Sequence, residues 1–262
     1  MLAAAYNFTT ALSNWWLLIW MTMGQLLASY GKTGGRLAFM MALLEPLMLI
    51  GGVYLIRGIM KEFGGIYGTS MFLFLASGCL PFYLFMQISS RTRKAGRQRG
   101  FPRLSALDVY IASVLINAIV WVTTIVLVFA GMWLSGIGRA RPASIVECTY
   151  PILLLIVLGA GMGMINNVVG RYIPLWQTIY RFGCRGLIFL SAVFHIVETQ
   201  PMWLREFTLS NPLTHAIMWF RVGVYGHFPD TFLDRDYLVE FALIVLFLGF
   251  VLDRATIRGS ES

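Results

Sequence analysis

Charged residues are scarce in this sequence. Only 12% of the 262 residues are Asp, Glu, Lys or Arg, whereas 58% are hydrophobic. A soluble domain usually carries about 25% charged residues, because its surface must stay hydrated. A soluble fold of this length could not bury so much apolar surface, so we predict that the chain is an integral membrane protein.

Cysteine is also sparse, and the spacing of polar residues excludes several kinds of site. Cys79, Cys148 and Cys184 lie far apart without a CxxC pair, which provides neither a disulfide framework nor a zinc site. The three histidines lack the spacing of metal ligands. No serine or cysteine stands in a pattern typical of a nucleophile with its base. We therefore predict that this chain has no catalytic residue, no metal and no cofactor.

Two short motifs resemble parts of nucleotide-binding sites, but the surrounding sequence does not support that function. Gly31-Lys32-Thr33 looks like the end of a phosphate-binding loop, yet Leu26 stands where that loop requires glycine. Asp234-Arg235-Asp236 resembles the metal-binding pair of nucleotide-sugar transferases, but a polar lead-in to the last helix is the simpler interpretation. The net charge of +8 lies in short loops rather than along one face, which argues against nucleic acid as a partner.

Long apolar runs fill most of the chain, and a helix needs about 20 such residues to cross a bilayer. The runs are too long for membrane strands, which need only about 10 residues and alternate in polarity. We therefore predict an all-α integral membrane protein with six transmembrane helices. These spans are placed at residues 37–56, 66–90, 109–134, 149–170, 172–197 and 237–252.

The N-terminal segment carries no charge in its first 31 residues. Residues 13–30 have Trp15 and Trp16 on their more apolar side. Tryptophan anchors helices at the membrane surface, so we predict an interfacial helix within residues 1–36. A seventh span is the alternative for the same residues.

Residues 198–236 are too long for a turn and too polar for a span. Asn211 followed by Pro212 predicts the start of a helix, because Asn caps and Pro suits the first helical position. With Gly226 as a stop, this gives a short helix over 212–225, after another around 201–209. We expect this outer pair to be re-entrant; an exposed loop with one surface helix is the alternative.

Lys and Arg are enriched on the cytoplasmic side of membrane proteins, which orients the chain. The loop at 91–107, after the second span, carries the strongest basic cluster and should face the cytoplasm. With six spans, both termini then lie in the cytoplasm. Residues 237–262 form the last span and the cytoplasmic tail. The cluster consists of Arg91, Arg93, Lys94, Arg97, Arg99 and Arg103.

Besides Glu240 near the start of the sixth span, three charges fall inside predicted spans, where each costs at least about 2.5 kcal/mol. Glu45 lies in the first span, and Arg181 and Arg185 share one face of the fifth. One interpretation pairs Glu45 with an arginine to hold two helices together. The other turns the arginines toward a conduit for an anionic substrate. Asn166 and Asn167, in the fourth span, are interpreted as interhelical hydrogen-bonding residues.

Three stretches together resemble the permease subunit of capsular polysaccharide exporters, within the type-2 ABC exporter family. The first runs from Gly31-Lys32 to Ala42-Leu43-Leu44-Glu45-Pro46. The second joins Leu80-Pro81-Phe82 to Ile88-Ser89-Ser90-Arg91. The third is Asn211-Pro212-Leu213-Thr214-His215 with Arg221. The matching order and hydropathy extend over nearly the whole chain.

The resemblance implies a bacterial inner-membrane complex of two copies of this chain with two cytoplasmic ATPase subunits, which bind the ATP and Mg²⁺. The loop at 91–107 would dock on the ATPase, the N-terminal helix would be a gate helix, and the outer pair would form the lid of the channel. The substrate would be a lipid-linked, often acidic polysaccharide, handed to periplasmic partners. O-antigen or teichoic acid export is the alternative within this family.

Aromatic residues make up 15% of the chain. Most belong by default to the belts at the membrane surfaces. A sugar polymer also slides over aromatic faces, so Tyr83, Trp203 and Trp219 join His215 and Arg221 as candidates for the translocation path. A membrane-embedded transferase and a scaffold are the competing classes. The transferase lacks a convergent set of His and carboxylate residues, and the scaffold does not explain the charges inside the spans.

Overall fold

The computed structural model describes residues 67, 68, 70–90, 106–136 and 140–258, with isolated positions between 44 and 55. The predicted N-terminal helix, most of the first span with Glu45, and the six basic residues of the 91–107 loop lie outside the described residues. The described part is helical, with no strand. Its helices are α1 (Met71–Ser89), α2 (Ala106–Leu134), α3 (Ile145–Tyr172), α4 (Trp176–Leu190), α5 (Met202–Leu209), α6 (Pro212–Tyr225) and α7 (Arg235–Arg258).

Three of these helices are long and apolar enough to cross a membrane: Met71–Ser89, Tyr110–Leu134 and Ile145–Tyr172. They match the predicted second, third and fourth spans within a few residues. The prediction of an all-α protein with membrane-crossing helices is therefore confirmed for the described residues. α7 has 24 residues and is longer than its predicted span, because it continues through Asp253 and Arg254.

The prediction of one continuous fifth span over 172–197 is wrong. Helix α4 covers only 15 residues, Trp176–Leu190, which is about 22 Å at 1.5 Å per residue. The chain then turns, and Ala192 adopts a left-handed conformation with φ 54°. A short 3-10 turn follows at Val197–Thr199. The turn is stabilised by a distant side chain, Arg221, which hydropathy alone does not reveal.

The contacts between helices define their relative directions. Glu147 lies 3.5 Å from Arg235 at the starts of α3 and α7, and Arg171 lies 3.6 Å from Asp253 near their ends, so the two helices run parallel. α2 runs the opposite way, since Tyr110 near its start donates to Ala160 O in the second half of α3 (2.6 Å). This alternation agrees with the predicted order of spans.

Glycines allow α3 and α7 to approach closely. A Cβ on Gly161 would lie 2.7 Å from the backbone of Leu246, and a Cβ on Gly249 would lie 2.7 Å from Gly161 O. Small residues at such crossings are typical of membrane helices, where association depends on packing because lipid is as apolar as the side chains.

Helix α6 begins and ends where its sequence predicts. The Asn211 side chain accepts a hydrogen bond from Leu213 N–H (3.1 Å), Pro212 occupies the first helical position, and Gly226 ends the helix with φ 75°. Most side chains of α6 are buried, and the helix packs between α1, α3, α5 and α7. α6 is therefore the central helix of the end of the bundle where α3 and α7 begin.

Candidate translocation path and its supporting contacts

The two arginines of α4 lie at the surface of the part of the chain that the structure describes. Cys184 and Ile188 are buried, and each is three residues beyond an arginine, so the buried stripe of α4 runs directly beside the two arginines. Arg181 and Arg185 are exposed, and Arg181 Nε donates only to Gln177 O of its own helix (3.3 Å). Within the described part of the chain, neither arginine forms an ion pair. The predicted pairing with Glu45 involves a residue outside that part.

Large apolar side chains flank the two arginines of α4. Phe182 is 72% exposed and Phe189 is 66% exposed on the same side of the helix. Large apolar side chains beside two cations suit a helix that borders a polar path on one side and protein or lipid on the other. Such a face is less suited to bulk water.

Arg221 lies inside the chain, with no exposed surface. Its guanidinium donates to Ala192 O and Val193 O (both 2.7 Å), to Phe74 O (3.3 Å) and to His195 O (3.4 Å). It also lies over the Phe74 ring, 3.9 Å from the centroid. Arg221 was a predicted candidate for the translocation path, but it lies inside the chain and binds backbone carbonyls of two segments. We call this arrangement the Arg221 clamp.

The Arg221 clamp explains the irregular backbone after α4. A chain that leaves a helix frees carbonyl groups, and each unsatisfied group is costly where water is absent. Arginine has five N–H donors in a planar fork, so one side chain satisfies several carbonyls at once. Arg221 also ties the turn to α1, where Gly78 leaves room: a Cβ there would lie 2.7 Å from Arg221 Nη2.

His215 links three segments at the end of the bundle where α3 and α7 begin. Its Nδ1 accepts the Asp234 N–H (3.1 Å), and its Nε2 lies 2.8 Å from Leu209 O. Burial lowers the pKa of His215, which favours the neutral ring that this pattern requires, with a proton on Nε2. His215 therefore holds the end of α5 and the start of α7 against α6.

The Asp234-Arg235-Asp236 motif begins a helix, as the simpler interpretation predicted. Asp234 Oδ1 accepts the Tyr237 N–H at the start of α7 (2.9 Å). Among the described residues, no group of His, Cys, Asp and Glu side chains is arranged to hold a metal ion.

The three aromatic candidates lie in different environments. Tyr83 is buried and stacks on Trp121, with centroids 6.0 Å apart. Trp219 is buried, and its indole N–H donates to Glu147 Oε2. Trp203 is 66% exposed on α5. Only Trp203 of the three presents its ring at the surface of the described chain.

Asn166 is the centre of a polar contact at the other end of the bundle. Its Nδ2 donates to Ser89 O at the end of α1 (2.9 Å). Its Oδ1 accepts from Trp176 Nε1 (3.0 Å), and its backbone carbonyl accepts from Gln177 Nε2 (3.2 Å). The prediction of an interhelical hydrogen-bonding role is confirmed for Asn166. The contact joins the last turn of α1, from which the 91–107 loop departs, to the start of α4.

Sequence reasoning missed the cluster formed by Glu147, Tyr150, Trp219 and Arg235, of which only Trp219 was a candidate. Ser144 and Glu147 form an S-x-x-E pattern before an apolar run, which is typical of a helix start. That pattern marks the beginning of α3. Nothing in it indicates that Glu147 contacts residues 72 and 88 positions further along the chain.

Comparison with known proteins agrees with the class of integral membrane proteins that the long apolar helices indicate. No family model matches the chain. The chain is 27% identical over 228 residues to the polysialic acid transport protein KpsM of Escherichia coli, covering 84% of this chain and 86% of the relative. It is 24% identical over 251 residues to the capsule polysaccharide export inner-membrane protein CtrC of Neisseria meningitidis, covering 91% and 90%. These relatives confirm the resemblance that the three motifs predicted.

Proposed function

We propose that this chain is the permease subunit of an ATP-driven exporter that moves a capsular polysaccharide across the bacterial inner membrane. The observation that carries the proposal is the match to a polysialic acid transport protein and a capsule polysaccharide export protein, over most of each chain. Apolar helices long enough to cross the membrane agree with it. Export of capsular polysaccharide, rather than O-antigen or teichoic acid, is favoured by the relatives' names.

We further propose that two copies of the chain form the channel and that Arg181 and Arg185 line it. The exposed arginine face of α4 has no counter-charge within the described residues, so an acidic, lipid-linked polymer would supply one. Phe182 and Phe189 beside the arginines suit contact with a second copy or with lipid. In this arrangement the ATP and Mg²⁺ belong to two cytoplasmic ATPase subunits, and the polymer passes to periplasmic partners.

The basic loop at 91–107 is proposed as the docking segment for the ATPase. Its first residues follow Ser89, whose carbonyl is bonded to Asn166. Through Trp176 and Gln177, the same asparagine contacts the start of the helix that carries Arg181 and Arg185. Movement of the loop would therefore reach α4 through buried and partly buried hydrogen bonds rather than through a flexible connection.

Reversing three charges of this loop tests the proposed function. We expect the triple variant Arg93→Glu, Lys94→Glu, Arg97→Glu to lower export about tenfold or more while the protein still inserts, because like charges would then meet the ATPase surface. The measurement is polysaccharide at the cell surface per unit of permease in the membrane, with ATP hydrolysis by the purified complex.

The matched control for the triple variant is Arg141→Glu, an exposed charge at the opposite end of the bundle. The control should export within about twofold of the wild type, since surface charge changes away from a contact have small effects. Unchanged export by the triple variant would contradict the assignment of 91–107 as the docking segment.

A further inference from the structure

Four side chains from three helices form an aromatic and charged cluster at the end of the bundle where α3 and α7 begin. Glu147 Oε2 accepts from Trp219 Nε1 and lies 3.5 Å from Arg235 Nη2. The Arg235 guanidinium lies over the Trp219 ring, 5.0 Å from its centroid. The Tyr150 ring stacks against the same indole, with centroids 5.8 Å apart and planes 24° apart.

Glu147 is not used to cap its own helix. In a capping box, the side chain at this position would accept the N–H of Ser144, whose hydroxyl in turn accepts the Glu147 N–H. Ser144 Oγ does accept that N–H (3.3 Å), but Ser144 N–H donates instead to Gly223 O (2.9 Å). The Glu147 carboxylate is therefore free of the cap and holds the indole and the guanidinium.

In this cluster the Trp219 ring is buried, and the other three side chains are at least partly exposed. Trp219 is only 7% exposed, whereas Tyr150 is 51% exposed. The side chains of Arg235 and Glu147 are 44% and 33% exposed. One ring face, one guanidinium and one carboxylate are thus accessible, and the Trp219 contacts fix their relative positions.

We propose that this cluster is a saccharide-binding subsite, an inference that rests on the proposed export function. A pyranose ring would place its C–H face on Tyr150, because aromatic rings offer apolar area with a defined plane. Arg235 would donate to sugar hydroxyls or to the carboxylate of an acidic sugar, and Glu147 would accept from hydroxyls.

The position of the cluster gives the subsite its role. Glu147 and Arg235 lie at the opposite end of α3 and α7 from the Arg171–Asp253 ion pair and from Asn166. In the proposed orientation, this is the outer end of the bundle. The subsite would contact sugar units as the polymer leaves the membrane, after they have passed Arg181 and Arg185.

Photo-crosslinking tests contact with the polymer directly. The variant Tyr150→p-benzoylphenylalanine is irradiated in cells that synthesise the polysaccharide, and adducts are detected with an antibody against that polysaccharide. We expect a glycan adduct at position 150 and several-fold less at Trp133, an exposed aromatic near the end of α2 that serves as the control position. Equal adducts at both positions, or lipid adducts alone at position 150, would overturn the subsite and leave Tyr150 as a membrane-surface anchor.

Export by two Tyr150 variants supplies the second measurement. Tyr150→Ala should lower export about fivefold, in line with the loss of one aromatic contact, whereas Tyr150→Phe keeps the ring and should stay within about twofold. Tyr172→Ala, at the other end of α3, is the matched control. Wild-type export by Tyr150→Ala would refute the proposal, as would equal loss in both Tyr150 variants together with loss of protein from the membrane. A strain without the chain that still exports would instead refute the proposed function.

Discussion

Replacing Arg221 with methionine should sharply reduce the amount of folded protein in the membrane. The substitution removes the donors for Ala192 O and Val193 O, which lie 2.7 Å from the guanidinium inside the chain. A buried acceptor left without a donor costs about 1–3 kcal/mol, so the two carbonyls alone cost several kcal/mol. The turn after α4 and its attachment to α1 should be lost together.

Membrane level and thermal stability in detergent measure the effect of Arg221→Met. Arg221→Lys keeps the charge but offers three donors from one point, so we expect an intermediate loss. The control is Arg205→Met on α5, where the guanidinium lies over the Phe232 ring and is less buried than Arg221. If Arg221→Met accumulates and melts like the wild type, the clamp does not stabilise the turn.

Replacing Arg181 and Arg185 with leucine should have the opposite effect to Arg221→Met: the protein should still reach the membrane folded, but export should fall. Both side chains are exposed on α4 and make no ion pair within the described residues, so the helix should still pack through Cys184 and Ile188. We expect membrane levels within about twofold of the wild type, because exposed substitutions away from buried contacts change stability little. Export of an acidic polymer should fall about tenfold or more, since a path without cations no longer favours anions.

Two comparisons separate the role of the charge from other effects. Arg181→Lys with Arg185→Lys keeps both cations and should retain most of the export. The variant Arg141→Leu with Arg205→Leu removes two charges elsewhere and should export normally. Normal export by the leucine variant of Arg181 and Arg185 would show that the two arginines do not line the path.

Sequence predicts the fold best where a local signal decides the structure. Asn211, Pro212 and Gly226 set both ends of α6 because capping, the fixed φ of proline and the positive φ of glycine act within a few residues. Apolar length located α1, α2 and α3 for the same reason. The contact of Asn166 was also predictable, because a polar amide inside a membrane helix must find a partner.

The sequence does not reveal features that depend on distant residues. The early end of α4 follows from Arg221, which is 29 positions beyond the carbonyl of Ala192 that it binds. The roles of His215 and Arg221 as internal contacts are hidden for the same reason, since a motif shows that a residue type is present but not which way it points. The contact of Glu147 with Trp219 spans 72 positions and has no local signature.

Isolation of the complex from native membranes tests the central proposal most directly. The tagged full-length chain is purified in mild detergent, and the proteins that accompany it are identified and quantified by mass spectrometry. The proposed function predicts an ABC ATPase in a one-to-one ratio with the chain, whose ATP hydrolysis accompanies export. A chain that is reproducibly recovered without an ATPase, under conditions that keep other ABC complexes intact, would contradict the exporter proposal and favour a transferase or a scaffold.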